Sequence, residues 1–276
     1  MGDIKTVAVI SAYNNSIKWS LKLLQEKIVD KIYVYSHKDI TNINPFVLNN
    51  DFFYEEIPNK GCEASSYLKY IIDNYDNLPD KIILLHDHEF SWHHNGSIIK
   101  VIKNNINENK DYINLNSYVW NNNEWDKSRD NNFFILYKRF LEPYYGNINL
   151  FLNFKEGHKG CAQFILHKNR IKRNSYEFYL DLYNYCMDEC QDYGHVEKGF
   201  GYFMEFVWHI IFGHIVPIKQ SMEGSWKYSS RFVTMNNNSI LCDLRKKNGE
   251  WLSVHFPIKY ENIIYNNNGF PRRNKK

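Results

Sequence analysis

Cysteine is scarce and poorly arranged for its structural uses. Cys62, Cys161, Cys186, Cys190 and Cys242 are five in number with no CxxC pair, which argues against a disulfide framework and for a reducing compartment. Cys186 and Cys190 would share a helix face, where buried packing is the ordinary explanation and a zinc site the sharper one. Long apolar runs are also missing. No stretch reaches the roughly 18 apolar residues of a membrane span, and no basic segment followed by an apolar one opens the chain, so a soluble, unexported, cytoplasmic protein is expected. Charge of one sign is lacking too: 34 basic residues against 31 acidic ones leave a net +3, too balanced for a nucleic-acid binder. Only residues 271–276 are locally basic, and a frayed end is favoured there over a binding patch. There is no GxSxG elbow, P-loop or GxGxxG fingerprint, so nucleophilic hydrolysis and the common phosphate-cradling loops find no support.

What is present is a regular alternation. Hydrophobic residues make up 43% of 276, enough for one large core. Residues 6–12, TVAVISA, form a short continuous apolar run, the mark of a strand buried on both faces. Residues 19–28 repeat apolar positions at helical spacing. Residues 31–35 and 52–57 read as further strands, residues 63–75 as a helix, and residues 82–85 as a fourth strand. The fold class predicted is α/β: a Rossmann-type, mixed but largely parallel sheet flanked by helices, in one domain. Residues 1–95 form its first half, residues 96–220 its second, and residues 221–276 a loop-rich C-terminal extension. In the second half, residues 112–115 and 160–166 read as strands, residues 175–188 and 203–212 as helices, and Gly213 as the end of the last one. The run from Phe133 to Tyr137 fits helix or strand equally. Residues 221–238 fit a loop closing over a site or a solvated linker.

The chemistry concentrates after the fourth strand. His86-Asp87-His88-Glu89-Phe90-Ser91-Trp92-His93-His94 packs four imidazoles and two carboxylates into nine residues. Ligands of open α/β sheets bind beyond the carboxyl ends of the strands. There this cluster would meet Ser11-Ala12-Tyr13-Asn14, Ser36-His37-Lys38 and Asn59-Lys60-Gly61, which end the preceding strands.

Ser11-Ala12-Tyr13-Asn14, residues 59–72 and 74–80, His86-x-His88 with Trp92-His93, Gly160-Cys161-Ala162-Gln163-Phe164 and residues 205–213 together resemble an uncharacterised family known from fungi and large DNA viruses. Its layout is similar to that of GT-A glycosyltransferases, and the likeness covers roughly residues 5–215. The resemblance implies a nucleotide-binding first half, an acceptor-side second half and a metal motif at the end of the fourth strand. It also implies transfer from a nucleotide-sugar donor, a UDP-sugar favoured, to a glycan or other hydroxyl acceptor, with Mn²⁺ or Mg²⁺ on the diphosphate. A viral protein would act in the host cytoplasm.

Tested against that chemistry, the residues allow two arrangements. On an extended backbone Asp87 and Glu89 share a face. In the first and favoured arrangement they hold the metal, with His255 as a late third ligand, while His93 faces the acceptor. In the second, His86, His88 and His93 are the ligands, since Mn²⁺ also accepts imidazole. Tyr13 could stack on the base; Ser11, Ala12 and Asn14 could line the base and ribose. Lys38 and Lys60 could neutralise phosphate, beside the permissive Gly61 and a helix-start Ser65. Trp92, with His86, Asp87 and His88, would complete the substrate-binding set. Glu205, a carboxylate inside an aromatic helix, is the expected catalytic base, with a structural ion pair as its competing explanation. Two other functions stay open: a metal-dependent hydrolase built on His86, His88 and His93, and a non-catalytic carbohydrate-binding module suggested by the 17% aromatic content.

Overall fold

The computed structural model describes residues 5–91, 93–117, 131–145, 161–189 and 199–213, together with the backbone of three strands between 233 and 257. The chain divides into two compact units. Residues 1–119 and 159–212 make the first; residues 120–158 and 213–276 make the second.

Parallel strands buried on both faces need near-continuous apolar sequence, and the four early runs supply it. They form β1 (Thr6–Ala12), β2 (Lys31–Ser36), β3 (Phe52–Glu56) and β4 (Lys81–His86). β1 pairs in parallel with both β2 and β4, and β3 adds in parallel to β2. Beyond β4 the direction changes. β6 (Phe164–His167) runs antiparallel to β4 and to β5 (Tyr112–Asn114), so β5 points the same way as β4. The six-stranded order is β3-β2-β1-β4-β6-β5, the mixed, largely parallel sheet expected. It extends well past residue 95, because β5 and β6 return to the sheet that the first four strands begin.

Helices cover the sheet. After β1 a 3-10 turn (Lys18–Ser20) leads into the short α1 (Leu21–Gln25), less helix than the spacing of residues 19–28 suggests. α2 (Glu63–Asn74) follows β3, and α3 (Ile98–Asn105) follows β4. α6 (Lys168–Ile171), α7 (Tyr176–Asn184) and α8 (Phe200–Ile211) complete the unit, the intervening α4 (Asn131–Leu136) and α5 (Glu142–Tyr145) belonging to the other one. α7 starts at Ser175, whose hydroxyl accepts from the Phe178 amide. α8 ends at Gly213, whose φ of +68° suits the left-handed cap expected of it.

In the second unit, α4 (Asn131–Leu136) continues through a π-helical turn (Tyr137–Leu141) into α5 (Glu142–Tyr145). The C-terminal segment departs from the loop-rich expectation. β7 (Val233–Asn236), β8 (Ser239–Arg245) and β9 (Trp251–Pro257) form an antiparallel three-stranded sheet. The signal was in the period-two alternation of Ile240, Cys242 and Leu244, and of Leu252, Val254 and Phe256. Asparagine-rich flanks masked it.

Candidate functional site

Strand order reverses at β1. The chain steps outward through β2 and β3 on one side, then returns to place β4 on the other. Connections leave the carboxyl ends of β1 and β4 in opposite directions, and a crevice opens where they part. Ser11 and His86 are register neighbours across it. The segments that follow these two residues therefore meet.

Asp87 joins them. Its side chain is only 5% exposed, and its oxygens are engaged by the loop after β1. Oδ2 accepts from the Tyr13 amide at 3.0 Å and the Asn15 amide at 3.4 Å, and Oδ1 accepts from Asn15 Nδ2 at 3.0 Å. His88 Nδ1 also lies 3.0 Å from Oδ1. Trp19 Nε1 donates to the Asp87 carbonyl, so both polar ends of the residue are held. Glu89 turns elsewhere: its Oε1 accepts from Ser97 Oγ at 2.9 Å, just before α3. The two carboxylates, expected on one face, thus diverge because the chain leaves β geometry after His86.

The imidazoles converge instead. The His86 ring lies 5.0 Å from that of His93 and 6.1 Å from that of His88, nearly perpendicular to each. Burial, reinforced by the neighbouring histidines, pushes the His86 pKa well below its ordinary value. His93 is lowered to about 4, first by burial and then by His88 and His94. His94 is lowered by burial against the opposing pull of the Gly96 carbonyl. These three rings are neutral near pH 7, the form in which imidazole binds metal. Nε2 of His86 is buried and makes no hydrogen bond.

A divalent cation suits this donor set through its nitrogens rather than its carboxylates, since Asp87 and Glu89 are committed to internal donors. Among the described residues no three His, Cys, Asp or Glu side chains stand together as a preformed cage. A cation that bridges substrate phosphates needs only one or two protein ligands, with phosphate and water filling the remaining positions. His255 lies on β9 of the second unit, opposite Leu241. Its side chain, like Trp92, lies outside the described residues.

The other lip is built from β1, β2 and the start of α2. Ser66 Oγ donates to Ser11 Oγ at 2.9 Å, and His37 Nε2 stands 3.3 Å and 3.4 Å from the two hydroxyls. His37 Nδ1 is 3.0 Å from the Pro58 carbonyl, which can only accept, so Nδ1 carries the ring proton and Nε2 faces the serines. Ser11 is thereby tied inward, and Ala12 contributes its carbonyl to the His37 amide. Tyr13 and Asn14 are exposed, with Tyr13 at 46%. The Lys38 ammonium stands 6.0 Å from the Tyr13 ring, within reach of a cation–π contact.

Two expected phosphate contacts, Lys60 and Ser65, and the turn glycine between them have structural duties. Lys60 Nζ donates to the Met187 carbonyl. Ser65 is buried and donates to the carbonyls of Lys60 and Cys62. Gly61 has φ +65°, and a β-carbon there would lie 2.3 Å from Cys186 Sγ, so the position demands glycine for packing as well as for backbone.

A family model matches residues 8–228, that of DUF3431, described as a protein of unknown function. The chain belongs to the DUF3431 family. No curated protein and no solved structure matches it. The DUF3431 match takes in both lips of the crevice and stops before β7, so the three-stranded sheet lies outside it. Within the matched span, Gly160-Cys161-Ala162-Gln163-Phe164 now has a physical account from Cys161 onward. Cys161 takes φ +63°, which delivers the Ala162 carbonyl to the Tyr67 hydroxyl at 2.8 Å. Gln163 Oε1 accepts from the His86 amide at 3.4 Å, and Gln163 Nε2 donates to Asn116 Oδ1 at 3.3 Å.

Glu205 lies on α8 facing the start of α2. A β-carbon on Gly201, one turn earlier on the same face, would stand 2.8 Å from the Gly61 carbonyl and 2.9 Å from Cys62 Cβ. One turn later, the Trp208 and Tyr67 rings meet at 6.0 Å. Between these contacts stand Glu205 and Glu63. Burial pushes Glu205 up to about 7; burial, then the charge of Glu205, pushes Glu63 well above the ordinary range. Sequence reasoning missed Glu63, because an acidic residue in the first turn of a helix reads as an ordinary complement to the helix dipole. It also missed Asn15, whose partner Asp87 is 72 residues away.

Proposed function

We propose that this protein is a glycosyltransferase that moves a sugar from a nucleoside diphosphate, uridine diphosphate favoured, to a glycan or other hydroxyl acceptor. The observation that carries the reading is the crevice at the strand reversal, with an exposed aromatic and an ammonium on one lip and neutral imidazoles on the other. Such reversals are where open α/β sheets bind nucleotides. The exposed face of Tyr13 suits a base, and Lys38 beside it suits an anionic group. His86, with His93 next to it, would hold a Mn²⁺ ion, which accepts imidazole where Mg²⁺ asks for oxygen ligands. When bound, that ion supplies charge neutralisation for the departing diphosphate. Asp87 serves the site by fixing the Tyr13 loop to the end of β4. Glu205, with its raised proton affinity, is suited to take the acceptor's hydroxyl proton near neutral pH.

The test is calorimetric titration of uridine diphosphate with and without Mn²⁺, followed by assay of a panel of uridine diphosphate sugars for diphosphate release. Mn²⁺-dependent binding that weakens at least about 10-fold in His86→Ala is expected. Equal affinity in the variant rejects the imidazole seat. Cleavage of a glycoside with no nucleotide present would favour the hydrolase instead.

A further inference from the structure

Glu63 and Glu205 stand where α2 and α8 close on one another, and dipole complementation of one helix does not explain two carboxyls there. Glu63 is 9% exposed, and its Oε1 is buried with no hydrogen-bond partner. An ionised carboxylate oxygen with no donor is costly in such a place, whereas a protonated carboxyl is tolerated. Glu205 is less deeply buried than Glu63. Gly201, one turn before Glu205, lets α8 close onto the Gly61 carbonyl and Cys62, next to Glu63, and the charge of Glu205 acts on Glu63.

Among the described residues, the following groups face the pair. From α2 it is faced by Tyr67, whose hydroxyl donates to the Ala162 carbonyl and which both carboxyls and Asp87 affect. From the end of β2 comes His37, which leans on the Cys62 backbone and is kept neutral chiefly by burial. Lys60 directs its ammonium to the Met187 carbonyl. Cys62 and Cys186 contribute thiols at the Gly61 turn, and His209 lies one turn along α8 from Glu205. In the same interface the indole N–H of Trp208 is also buried without a partner among the described residues.

We infer that Glu63 and Glu205 work as a two-carboxyl, one-proton unit, in which Glu63 stays protonated while Glu205 is the ionised base that accepts a proton from a bound hydroxyl. Charge repulsion between the carboxyls prevents both from ionising together. Glu63 is thus a positioning residue and Glu205 the catalytic one. The step rests on the glycosyl-transfer reading. The acceptor oxygen bonds the anomeric carbon, the bond from that carbon to the diphosphate oxygen breaks with its electron pair leaving on the diphosphate, and the acceptor proton goes to Glu205. Glu205 returns that proton to solvent after product leaves.

The unit can be tested without substrate by ¹³C NMR titration of the glutamate side-chain carboxyls in the full chain. In the unmodified protein Glu205 should titrate near 7 while Glu63 stays protonated over the same range. Glu63→Gln, which mimics a protonated carboxyl, should leave the Glu205 midpoint in place; Glu205→Gln should move Glu63 toward the ordinary range by removing the charge that raises it. The proposal is overturned if Glu63 titrates as an ordinary carboxyl in the unmodified protein, a result that needs no variant to fold. It is also overturned if Glu205→Gln folds and leaves Glu63 unmoved. Should a uridine diphosphate sugar turn over, the rate should rise with pH through about 7 in the unmodified protein and in Glu63→Gln alike, and the rise should vanish in Glu205→Gln. If the titration shows the unit but no sugar nucleotide turns over, the transferase reading fails and the carboxyl unit stands.

Discussion

Replacing Asp87 by alanine is expected to destabilise the protein rather than only weaken a ligand. Its carboxylate receives two backbone N–H groups and one side-chain amide, at 3.0, 3.4 and 3.0 Å, and it is 5% exposed. Hydrogen bonds to a charged acceptor contribute about 1.5–3 kcal/mol each. The 3.4 Å bond is weak, and the exposed Tyr13 loop can recover some water, so we set the loss at roughly 3 kcal/mol, near the low end for a broken buried pair. For a domain of this size that corresponds to a fall in Tm of about 6–12 °C. Thermal and urea unfolding, followed by circular dichroism near pH 7.5, would measure it. Glu89→Ala, which removes one partly buried bond to Ser97, should cost only about 1 kcal/mol in the same assays. If Asp87→Ala melted within about 2 °C of the unmodified protein yet lost Mn²⁺-dependent nucleotide binding, the carboxylate would be a metal ligand and the divergence described above would be irrelevant to function.

The part of the stability that Glu205 contributes should fall as pH rises from about 4.5 to 7, against the opposite contribution of the buried histidines His86, His93 and His94, whose lowered proton affinity favours the folded state as pH rises. Glu205 has its folded pKa raised to about 7 from an ordinary 4.5, so the native state holds the proton that the unfolded state releases, and that stabilisation is lost through the folded pKa. At about 1.36 kcal/mol per unit, discounted because Glu205 keeps some contact with water, that part is roughly 2–3 kcal/mol; the difference between the unmodified and Glu205→Gln curves should change by this amount across the range, and a difference that does not vary with pH would refute the assignment. Gly201→Ala should destabilise by about 1–3 kcal/mol, because its β-carbon would meet the Gly61 carbonyl oxygen at 2.8 Å; an unchanged urea midpoint would show that α8 can shift away. Tyr13→Ala should weaken uridine diphosphate binding by about 5- to 100-fold, the worth of one base-stacking contact, with little change in Tm. Equal affinity would remove Tyr13 from the site.

Much of the first unit was legible because burial on both faces leaves a local trace. Val7 to Ala12 are all buried, and only a continuous apolar run tolerates that. The location of the crevice was legible for the same reason: once four runs are strands of one parallel sheet, whatever follows the fourth must emerge at the ligand-binding edge. The site itself was harder to read. Asp87 and Glu89 share a face on an extended chain, but β4 ends at His86, and each carboxylate then finds a different partner. Lys60 and Ser65, which look like anion donors in a turn, serve carbonyls of their own neighbourhood.

By itself, the amino-acid order determined the strands, the largely parallel class of the sheet and the concentration of titratable groups at one edge, since apolar periodicity and chain-end chemistry are local properties. Tertiary structure alone decided which of those groups meet. The bond from Asn15 to Asp87 spans 72 residues, and the approach of Glu205 to Glu63 requires a glycine on α8 to lie against a turn 140 positions earlier in the chain. Pairings of that kind depend on helix packing and loop direction, where small differences in distance set the charge on a carboxyl, and no pattern within either segment encodes them.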